Sequence, residues 1–352
     1  MTETPTNQPS PLPALPAARR LRYYLEAAAF FSVIGFFRLF GIERASAIGG
    51  WIGRNLVART FLSRRPLRNL RASYPEKGEA EIRAILLAMW DNLGRVMAEY
   101  AHLDEIHWLS PNPRITITGA ENFESARALG KGMIMVSGHF ANWEIMQIPA
   151  REYGITGGLI VRPANNPYVN RWLDALRSRI GMRDQISKGV EGTRRVFGLL
   201  RKGEAVLLLA DQRASEGIPV PFFGRDAFTT PAPAALALKL GTPILPFSNT
   251  RVGPAKFHMQ VHPMIAPPRT GDPQRDLVQF TAAITRWIED RVREKPGEWL
   301  WIHKRWVKHD APLRKRALAL TSDRRDVKSG VIPDGPKGWA GTRSQTERDT
   351  AE

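Results

Sequence analysis

The stretch KGMIMVSGHFANWEIMQ, residues 131–147, indicates the fold class by itself. Residues 133–136 form a short continuous apolar run, Gly138 interrupts it, and a helical pattern begins near Asn142. A continuous apolar run is typical of a strand in a sheet that has helices packed on both of its faces. The stretch therefore predicts a buried strand that leads directly into a helix, which is the repeating unit of an α/β fold.

The chain after residue 106 repeats this alternation of short apolar runs and helical patterns. The predicted strands are residues 115–118, 133–136, 158–161, 205–210, 243–247 and 256–261, and the predicted helices are residues 121–129, 142–152, 167–180, 190–201, 232–240 and 273–294. A long amphipathic helix is predicted before them, over residues 79–106, from apolar residues at helical spacing. We therefore expect an α/β fold with a mostly parallel central sheet covered by helices.

Composition divides the chain into four segments. Residues 1–18 are rich in proline and threonine and are predicted to be disordered, and residues 311–352 are interpreted as a polar, disordered tail. Residues 19–60 are interpreted as a membrane-associated helical segment, and residues 61–310 as the main domain. We therefore expect the residues that carry the chemistry to lie within residues 61–310.

An apolar run of eleven uncharged residues, 27–37, lies between Glu26 and Arg38. A helix that spans a membrane needs about 20 predominantly apolar residues, and the run reaches this length only if the flanking charges are included. We interpret it as a membrane anchor that either spans the bilayer or lies in its interface. A buried core helix stays open as the alternative.

Composition also restricts the chemistry and the partners. The absence of cysteine excludes disulfides, thiolate zinc sites and a cysteine nucleophile, and the seven histidines show no spacing typical of a metal site. We therefore expect neither a metal nor a cofactor. The net charge of +17 favours anionic partners, which are nucleic acid, acidic lipid headgroups, phosphorylated substrates or an acidic carrier protein. Because the sequence contains no recognisable nucleic-acid-binding motif, we do not expect nucleic acid as a partner.

His139 follows the predicted strand 133–136, at the edge of the sheet where α/β proteins bind their ligands. Glu144 lies five residues later, and it can reach back to the imidazole if His139 occupies the turn before the helix. A carboxylate bonded to a histidine fixes its tautomer and stabilises the imidazolium. The pair is therefore a candidate general base acting on a hydroxyl, and a purely structural histidine is the alternative.

The spacing of His139 and Glu144 after a strand resembles the HX4(D/E) signature of the lysophospholipid acyltransferase-like superfamily. GGLIVR at residues 157–162 resembles the second block of that superfamily, a strand that ends in a basic residue. GTPILPF at residues 241–247 resembles its fourth block, which carries a proline. The three blocks occur in the order in which the superfamily has them.

The pair Asp211-Gln212 makes the resemblance more specific, because it is similar to the late acyltransferases of lipid A biosynthesis, the lauroyl and myristoyl transferases of Gram-negative bacteria. The similar stretches are LLLADQR at 207–213, PFFGRDAFTTPAPAALALKLGTPILP at 221–246 and WLWIHKRW at 299–306, within a resemblance that covers roughly residues 23–308. The chain departs from the family at Arg213, where an acidic residue is common. EGTR at residues 191–194 copies the third block of glycerolipid acyltransferases, but it is predicted to open a helix, so we interpret the match as a coincidence.

The resemblance implies transfer of a fatty acyl chain from the thioester of acyl carrier protein to a hydroxyl of a lipid A precursor, an anionic glycolipid. It implies that His139 is the general base, that Glu144 orients it, and that residues 61–310 form the acyltransferase domain. The expected location is the cytoplasmic face of the cell inner membrane. The predicted substrate-binding residues are Arg162, Asn166, Asp211, Gln212 and Arg213.

Two details and two alternatives complete these expectations. The oxyanion of the reaction is expected to bind either backbone N–H groups at the start of the helix near Asn142 or the side chain of Arg162. The stretch WLWIHKRW at residues 299–306 mixes tryptophan with basic residues, and we interpret it as a membrane-facing or lipid-phosphate element. The alternatives are an acyltransferase for another glycolipid or an aminolipid, and a non-catalytic basic protein that binds membranes or nucleic acid.

Overall fold

The computed structural model of the chain describes residues 16–182 and 184–306. The predicted polar tail at residues 311–352 lies outside the described residues, and so do residues 1–15 of the predicted disordered segment. A helix begins at Ala17, so the last two residues of that segment are helical.

The described residues form ten α-helices, nine strands and five short 3-10 helices, and four of the α-helices precede the first strand. The α-helices are α1 (Ala17–Arg38), α2 (Ile42–Asn55), α3 (Arg64–Ser73), α4 (Glu79–Glu99), α5 (Glu121–Arg127), α6 (Gln147–Glu152), α7 (Pro167–Ile180), α8 (Val190–Arg201), α9 (Ala232–Leu240) and α10 (Pro273–Glu294). The strands are β1 (Ile115–Thr118), β2 (Met133–Ser137), β3 (Gly157–Val161), β4 (Asp184–Ser187), β5 (Ala205–Leu209), β6 (Ile218–Phe222), β7 (Arg225–Thr229), β8 (Ile244–Gly253) and β9 (Lys256–Val261). The 3-10 helices are Val57–Arg59, Phe61–Ser63, Tyr100–Glu105, Trp143–Met146 and Pro296–Glu298.

Seven of the strands form one sheet in the order β1-β9-β8-β2-β5-β3-β4. The neighbours from β8 to β4 are parallel, β9 runs antiparallel to β8, and β1 is parallel to β9. Strands β6 and β7 form a separate antiparallel hairpin. Every residue of β2 is buried, which is why its first four residues are continuously apolar. The prediction of an α/β fold with a mostly parallel sheet is confirmed.

Strands β4, β6 and β7 were not predicted, β8 runs to Gly253 instead of residue 247, and α4 ends early. Strand β4 is a mostly polar strand of four residues at the edge of the sheet, so it lacks an apolar signal. Strand β6 reads IPVPF, and its two prolines argue against a strand in the sequence although a two-stranded hairpin tolerates them. Helix α4 ends at Glu99 instead of residue 106, because the chain tightens into the 3-10 helix Tyr100–Glu105.

Helix α1 lies on the surface of the protein and packs against α7. The ring of Tyr24 stacks on that of Tyr168 with centroids 4.7 Å apart, and Phe30 meets Trp172 edge-on at 5.4 Å. Most of the side chains of α1 are exposed, so the alternative of a buried core helix is wrong. In the described part of the chain, no helix has both the length and the hydropathy that crossing a bilayer requires.

Helices α2 and α4 pack closely through glycines. A Cβ atom added at Gly49 or Gly53 would collide with the backbone of α4, and one added at Gly94 would collide with the backbone of α2. Ile42 at the start of α2 belongs to the same buried cluster as the strands of the sheet. The second half of the 19–60 segment is therefore packed into the 61–310 domain.

Candidate active site

The register of two neighbouring strands brings His139 and Asp211 together. Strands β2 and β5 are parallel, and Ser137 at the end of β2 pairs with Leu209 at the end of β5. His139 and Asp211 each lie two residues beyond this pair, so they leave the sheet at the same level of its carboxyl edge. His139 Nδ1 lies 2.7 Å from Asp211 Oδ1, and the backbone N–H of His139 donates to Asp211 Oδ2 over 2.7 Å.

The Asp211 carboxylate fixes the tautomer of His139. Asp211 is fully buried, and the indole N–H of Trp299 donates to its Oδ2 over 2.7 Å. Burial by itself raises the pKa of Asp211, but the charge of His139 and its hydrogen bonds outweigh burial and hold this pKa well below the usual range of a carboxyl. An ionised carboxylate only accepts hydrogen bonds, so in the neutral imidazole the proton lies on His139 Nδ1 and the lone pair on Nε2.

His139 Nε2 faces the side-chain amide of Gln212. Gln212 Nε2 lies 3.1 Å from His139 Nε2 and 3.3 Å from His303 Nε2, so one amide group donates to two imidazoles. The centroids of the two imidazole rings are 5.0 Å apart. Burial, followed by the charge of His139, lowers the pKa of His303 to about 4, so the His303 ring is neutral at pH 7.

Glu144 binds Arg177 and Tyr100 instead of His139. Arg177 Nε and Nη2 donate to the two carboxylate oxygens over 2.8 and 2.7 Å, and the Tyr100 hydroxyl donates over 2.7 Å. Burial raises the pKa of Glu144, but the Arg177 guanidinium outweighs burial and holds this pKa below its usual range. The prediction that the imidazole donates a hydrogen bond to Glu144 is wrong, because a 3-10 helix follows His139 and directs Glu144 towards α7.

The profile of the family described as bacterial lipid A biosynthesis acyltransferase matches residues 14–308 of the chain. The chain belongs to this family. It is therefore an acyltransferase of the lipid A biosynthesis family, and the alternative of a non-catalytic basic binding protein is set aside.

Individual relatives are similar over most of their length. Lipid A biosynthesis lauroyltransferase of Escherichia coli is 27% identical over 270 residues, which are 72% of this chain and 83% of that protein. Lipid A biosynthesis palmitoleoyltransferase of the same organism is 25% identical over 262 residues, 71% of this chain and 81% of that protein. Phosphatidylinositol mannoside acyltransferase of Mycobacterium tuberculosis is 24% identical over 242 residues, 66% of this chain and 74% of that protein.

The five predicted substrate-binding residues of this acyltransferase have different surroundings. Gln212 contacts His139, whereas Asp211 is fully buried behind the imidazole and is its hydrogen-bond partner instead of a surface for substrate. Arg162 is exposed and directly follows β3. Arg213 is partly buried, and its Nε is a buried donor with no hydrogen-bond partner among the described residues.

Asn166 has a structural position in this acyltransferase. Its Oδ1 accepts from the backbone N–H of Tyr168 over 3.0 Å and caps the start of α7. Its Nδ2 donates to the carbonyl oxygen of Tyr23 over 2.8 Å and so links α7 to α1. The prediction that Asn166 contacts substrate is therefore replaced by a role in joining two helices.

The stretch WLWIHKRW of this acyltransferase belongs mainly to the core. Trp299, Trp301 and Arg305 are 1%, 0% and 1% exposed, so the interpretation of this stretch as a membrane-facing element is wrong for them. The Trp301 indole donates to the carbonyl oxygen of Pro296 over 2.8 Å, which makes burial of its polar atom favourable. The stretch places His303 beside His139, a contact that the sequence did not indicate because buried and membrane-facing tryptophans are alike in composition.

Proposed function

We propose that this acyltransferase moves a fatty acyl chain from an acyl carrier protein thioester to a hydroxyl of a lipid A precursor. The observation that carries the proposal is the imidazole of His139 at the edge of the sheet, whose Nδ1 lies 2.7 Å from a fully buried aspartate. A base held in this way removes the proton of a hydroxyl, which is the group that an ester-forming acyl transfer must activate.

The proposed reaction proceeds by direct transfer. His139 Nε2 takes the proton of the acceptor hydroxyl as its oxygen forms a bond to the thioester carbonyl carbon, and Asp211 stabilises the resulting imidazolium. The tetrahedral intermediate then breaks its C–S bond, and the imidazolium returns the proton to the departing thiolate. The chain has no cysteine, and the Ser137 hydroxyl donates to the carbonyl oxygen of Phe247 in the core, so neither is poised to form an acyl-enzyme.

Charge and family support the choice of donor and acceptor. A net charge of +17 suits both an acidic carrier protein and a phosphorylated glycolipid, because each is anionic. Two relatives are named for transfer of specific fatty acyl chains in lipid A biosynthesis. The relative named for acylation of phosphatidylinositol mannoside supports another glycolipid as the second candidate acceptor.

The donor and the acceptor can be tested in one assay. Purified enzyme is supplied with a labelled lauroyl chain, either on acyl carrier protein or on coenzyme A, and with either a lipid A precursor or phosphatidylinositol mannoside. We expect label to enter the lipid A precursor, and to do so faster from the carrier protein, because a protein donor adds a binding surface. Label that enters only phosphatidylinositol mannoside would disprove the acceptor, and an equal rate with coenzyme A would disprove the carrier requirement.

We also propose that α1 attaches the enzyme to the cytoplasmic face of the inner membrane by lying in the lipid interface. The outward face of α1 carries apolar side chains at every third or fourth position. Leu21 and Leu25 are 60% and 64% exposed, and Leu39, which directly follows the helix, is 81% exposed. Phe36 lies on the same face, and the arginines at residues 19, 20 and 22 stand at its start. An apolar face flanked by cations is typical of a helix that lies in the plane of an anionic membrane.

The double substitution Leu25→Glu and Phe36→Glu is expected to weaken binding to vesicles of phosphatidylethanolamine and phosphatidylglycerol by at least about tenfold. Each lost apolar side chain contributes roughly 1.5–3 kcal/mol when it is fully removed from water. Co-sedimentation with vesicles measures the effect. Val190→Glu is the matched control, because Val190 is 72% exposed on α8 and should not affect binding. Unchanged sedimentation of the double variant would show that α1 is not the membrane-binding surface.

A further inference from the structure

The Gln212 amide occupies the position that an acceptor hydroxyl must take. Its nitrogen lies 3.1 Å from His139 Nε2, where a hydroxyl that donates to the base would also lie. The second N–H of the same amide points to His303 Nε2 at 3.3 Å. An acceptor hydroxyl that binds His139 Nε2 displaces the contact between Gln212 and His139. The hydrogen bond from Gln212 to His303 can remain, and the amide then rotates about it. One N–H of the amide is left free beside the attacking oxygen.

The backbone around the base offers few alternatives to this N–H. The N–H of His139 donates to Asp211, that of Phe140 to the Gly138 carbonyl oxygen, and that of Ala141 to the Glu298 carbonyl oxygen. The N–H of Glu144, inside the predicted oxyanion-binding turn, donates to the side chain of residue 142. Four backbone donors near His139 are therefore already engaged in holding the turn.

His303 is suited to hold the amide and not to act as a second acid. Its ring is partly buried, and its Nε2 must be unprotonated to accept from Gln212. Asn69 Nδ2 donates to the carbonyl oxygen of His303 over 3.0 Å and to that of Trp301 over 2.9 Å, which anchors the turn that carries the ring to α3. The hydrogen bonds from Asn69 therefore hold the backbone that positions His303 Nε2.

We infer that Gln212 donates a hydrogen bond to the oxyanion of the tetrahedral intermediate, and that His303 is the residue that positions its amide. The inference rests on the proposed acyl transfer. As the C–O bond forms, the electron pair of the carbonyl π bond moves to the carbonyl oxygen, which becomes the oxyanion. This oxygen is one carbon atom away from the attacking oxygen, so it lies within reach of the released N–H. When this electron pair re-forms the C=O bond, the C–S bond breaks and the thiolate leaves.

Four variants test the inference: Gln212→Met, His303→Leu, the combination of both, and His303→Gln. Gln212→Met keeps the length of the side chain but has no donor, so kcat should fall roughly 10²–10³-fold, the usual effect of removing one oxyanion donor, with little change in the KM for the acceptor. His303→Leu should lower kcat by up to about a hundredfold through misplacement of the amide. His303→Gln, which retains an acceptor oxygen, should restore much of that loss.

The combined variant separates a positioning role of His303 from a general structural one. If His303 acts through Gln212, His303→Leu should lower kcat less than about twofold in a chain that already has Gln212→Met, because interacting residues are not additive. Gln260→Met and His107→Leu, at exposed sites, are controls that should match the wild type. If Gln212→Met is as fast as the wild type, or faster, the amide only blocks the base and does not bind the oxyanion. If the loss of kcat in the combined variant is the product of the two single losses, His303 does not act through Gln212. A wild type that transfers no acyl chain would instead disprove the proposed function.

Discussion

His139→Ala is expected to lower the rate of acyl transfer by roughly 10²–10⁴-fold, the range in which a positioned general base contributes. The expected loss lies in kcat, because in the proposed mechanism the imidazole removes the acceptor proton in the transition state and is a small part of the surface that binds either substrate. Transfer of a labelled chain from acyl carrier protein to the lipid acceptor measures the rate, and single-turnover kinetics separate the chemical step from binding.

His107→Ala is the matched control for this prediction. His107 has a side chain that is 52% exposed and 3.1 Å from Glu152, so the chain offers a second histidine with a carboxylate partner and no contact with the catalytic turn. We expect the control to keep the rate of the wild type. Equal rates for His139→Ala and the wild type would show that His139 is a structural residue at a strand end, and the proposed mechanism would then fail.

Asp211→Asn is expected to reduce kcat by roughly 10³–10⁴-fold while the fold is retained, as in hydrolases whose catalytic histidine depends on a buried aspartate. The amide has nearly the shape of the carboxylate, but it neither compensates the imidazolium charge nor requires a proton on Nδ1. Part of the population would then carry its proton on Nε2, where no lone pair remains for the acceptor. The dependence of kcat on pH, measured together with circular dichroism, distinguishes this effect from unfolding.

Glu144→Gln is expected to lower stability more than kcat, the opposite of Asp211→Asn. This change leaves the Arg177 guanidinium buried without its charged partner, and breaking a buried ion pair costs about 3–5 kcal/mol of stability. We expect a lower midpoint of chemical unfolding but a kcat within about tenfold of the wild type at a temperature where the variant is folded. A large loss of kcat in Glu144→Gln, together with a nearly unchanged kcat in Asp211→Asn, would instead support the predicted pairing of His139 with Glu144.

Much of the fold follows from local sequence pattern. Helices α7, α8, α9 and α10 and strands β1 and β9 have the predicted bounds, because each has a clear apolar period and turn-forming residues at its ends. The strand that leads to His139 is also correct to within one residue. The helix α3 and the strands β4, β6 and β7 were not predicted, and the polar residues or prolines of the three strands give no such pattern.

The candidate site divides in the same way. Position at the end of a buried strand singled out His139, and the resemblance to acyltransferases singled out Asp211-Gln212, but as a contact for substrate. Glu144 was chosen as the partner of the base because it is near in sequence, whereas the actual partner is 72 residues away. His303 was within a stretch that drew attention for its tryptophans, and its nearness to the base had no local signal.

The sequence by itself determined the α/β class, the strand end that carries His139 and the family of the chain, because each depends on residues close together or on a pattern that can be matched in order. Only the tertiary structure decided that Asp211 is the partner of His139, that Glu144 stabilises α7 through Arg177, and that Trp299 and Trp301 are core residues. The physical reason is the order of the strands. Adjacency of β2 and β5 depends on which apolar surfaces are buried together, and that balance of non-local contacts is not encoded in the spacing of any one segment.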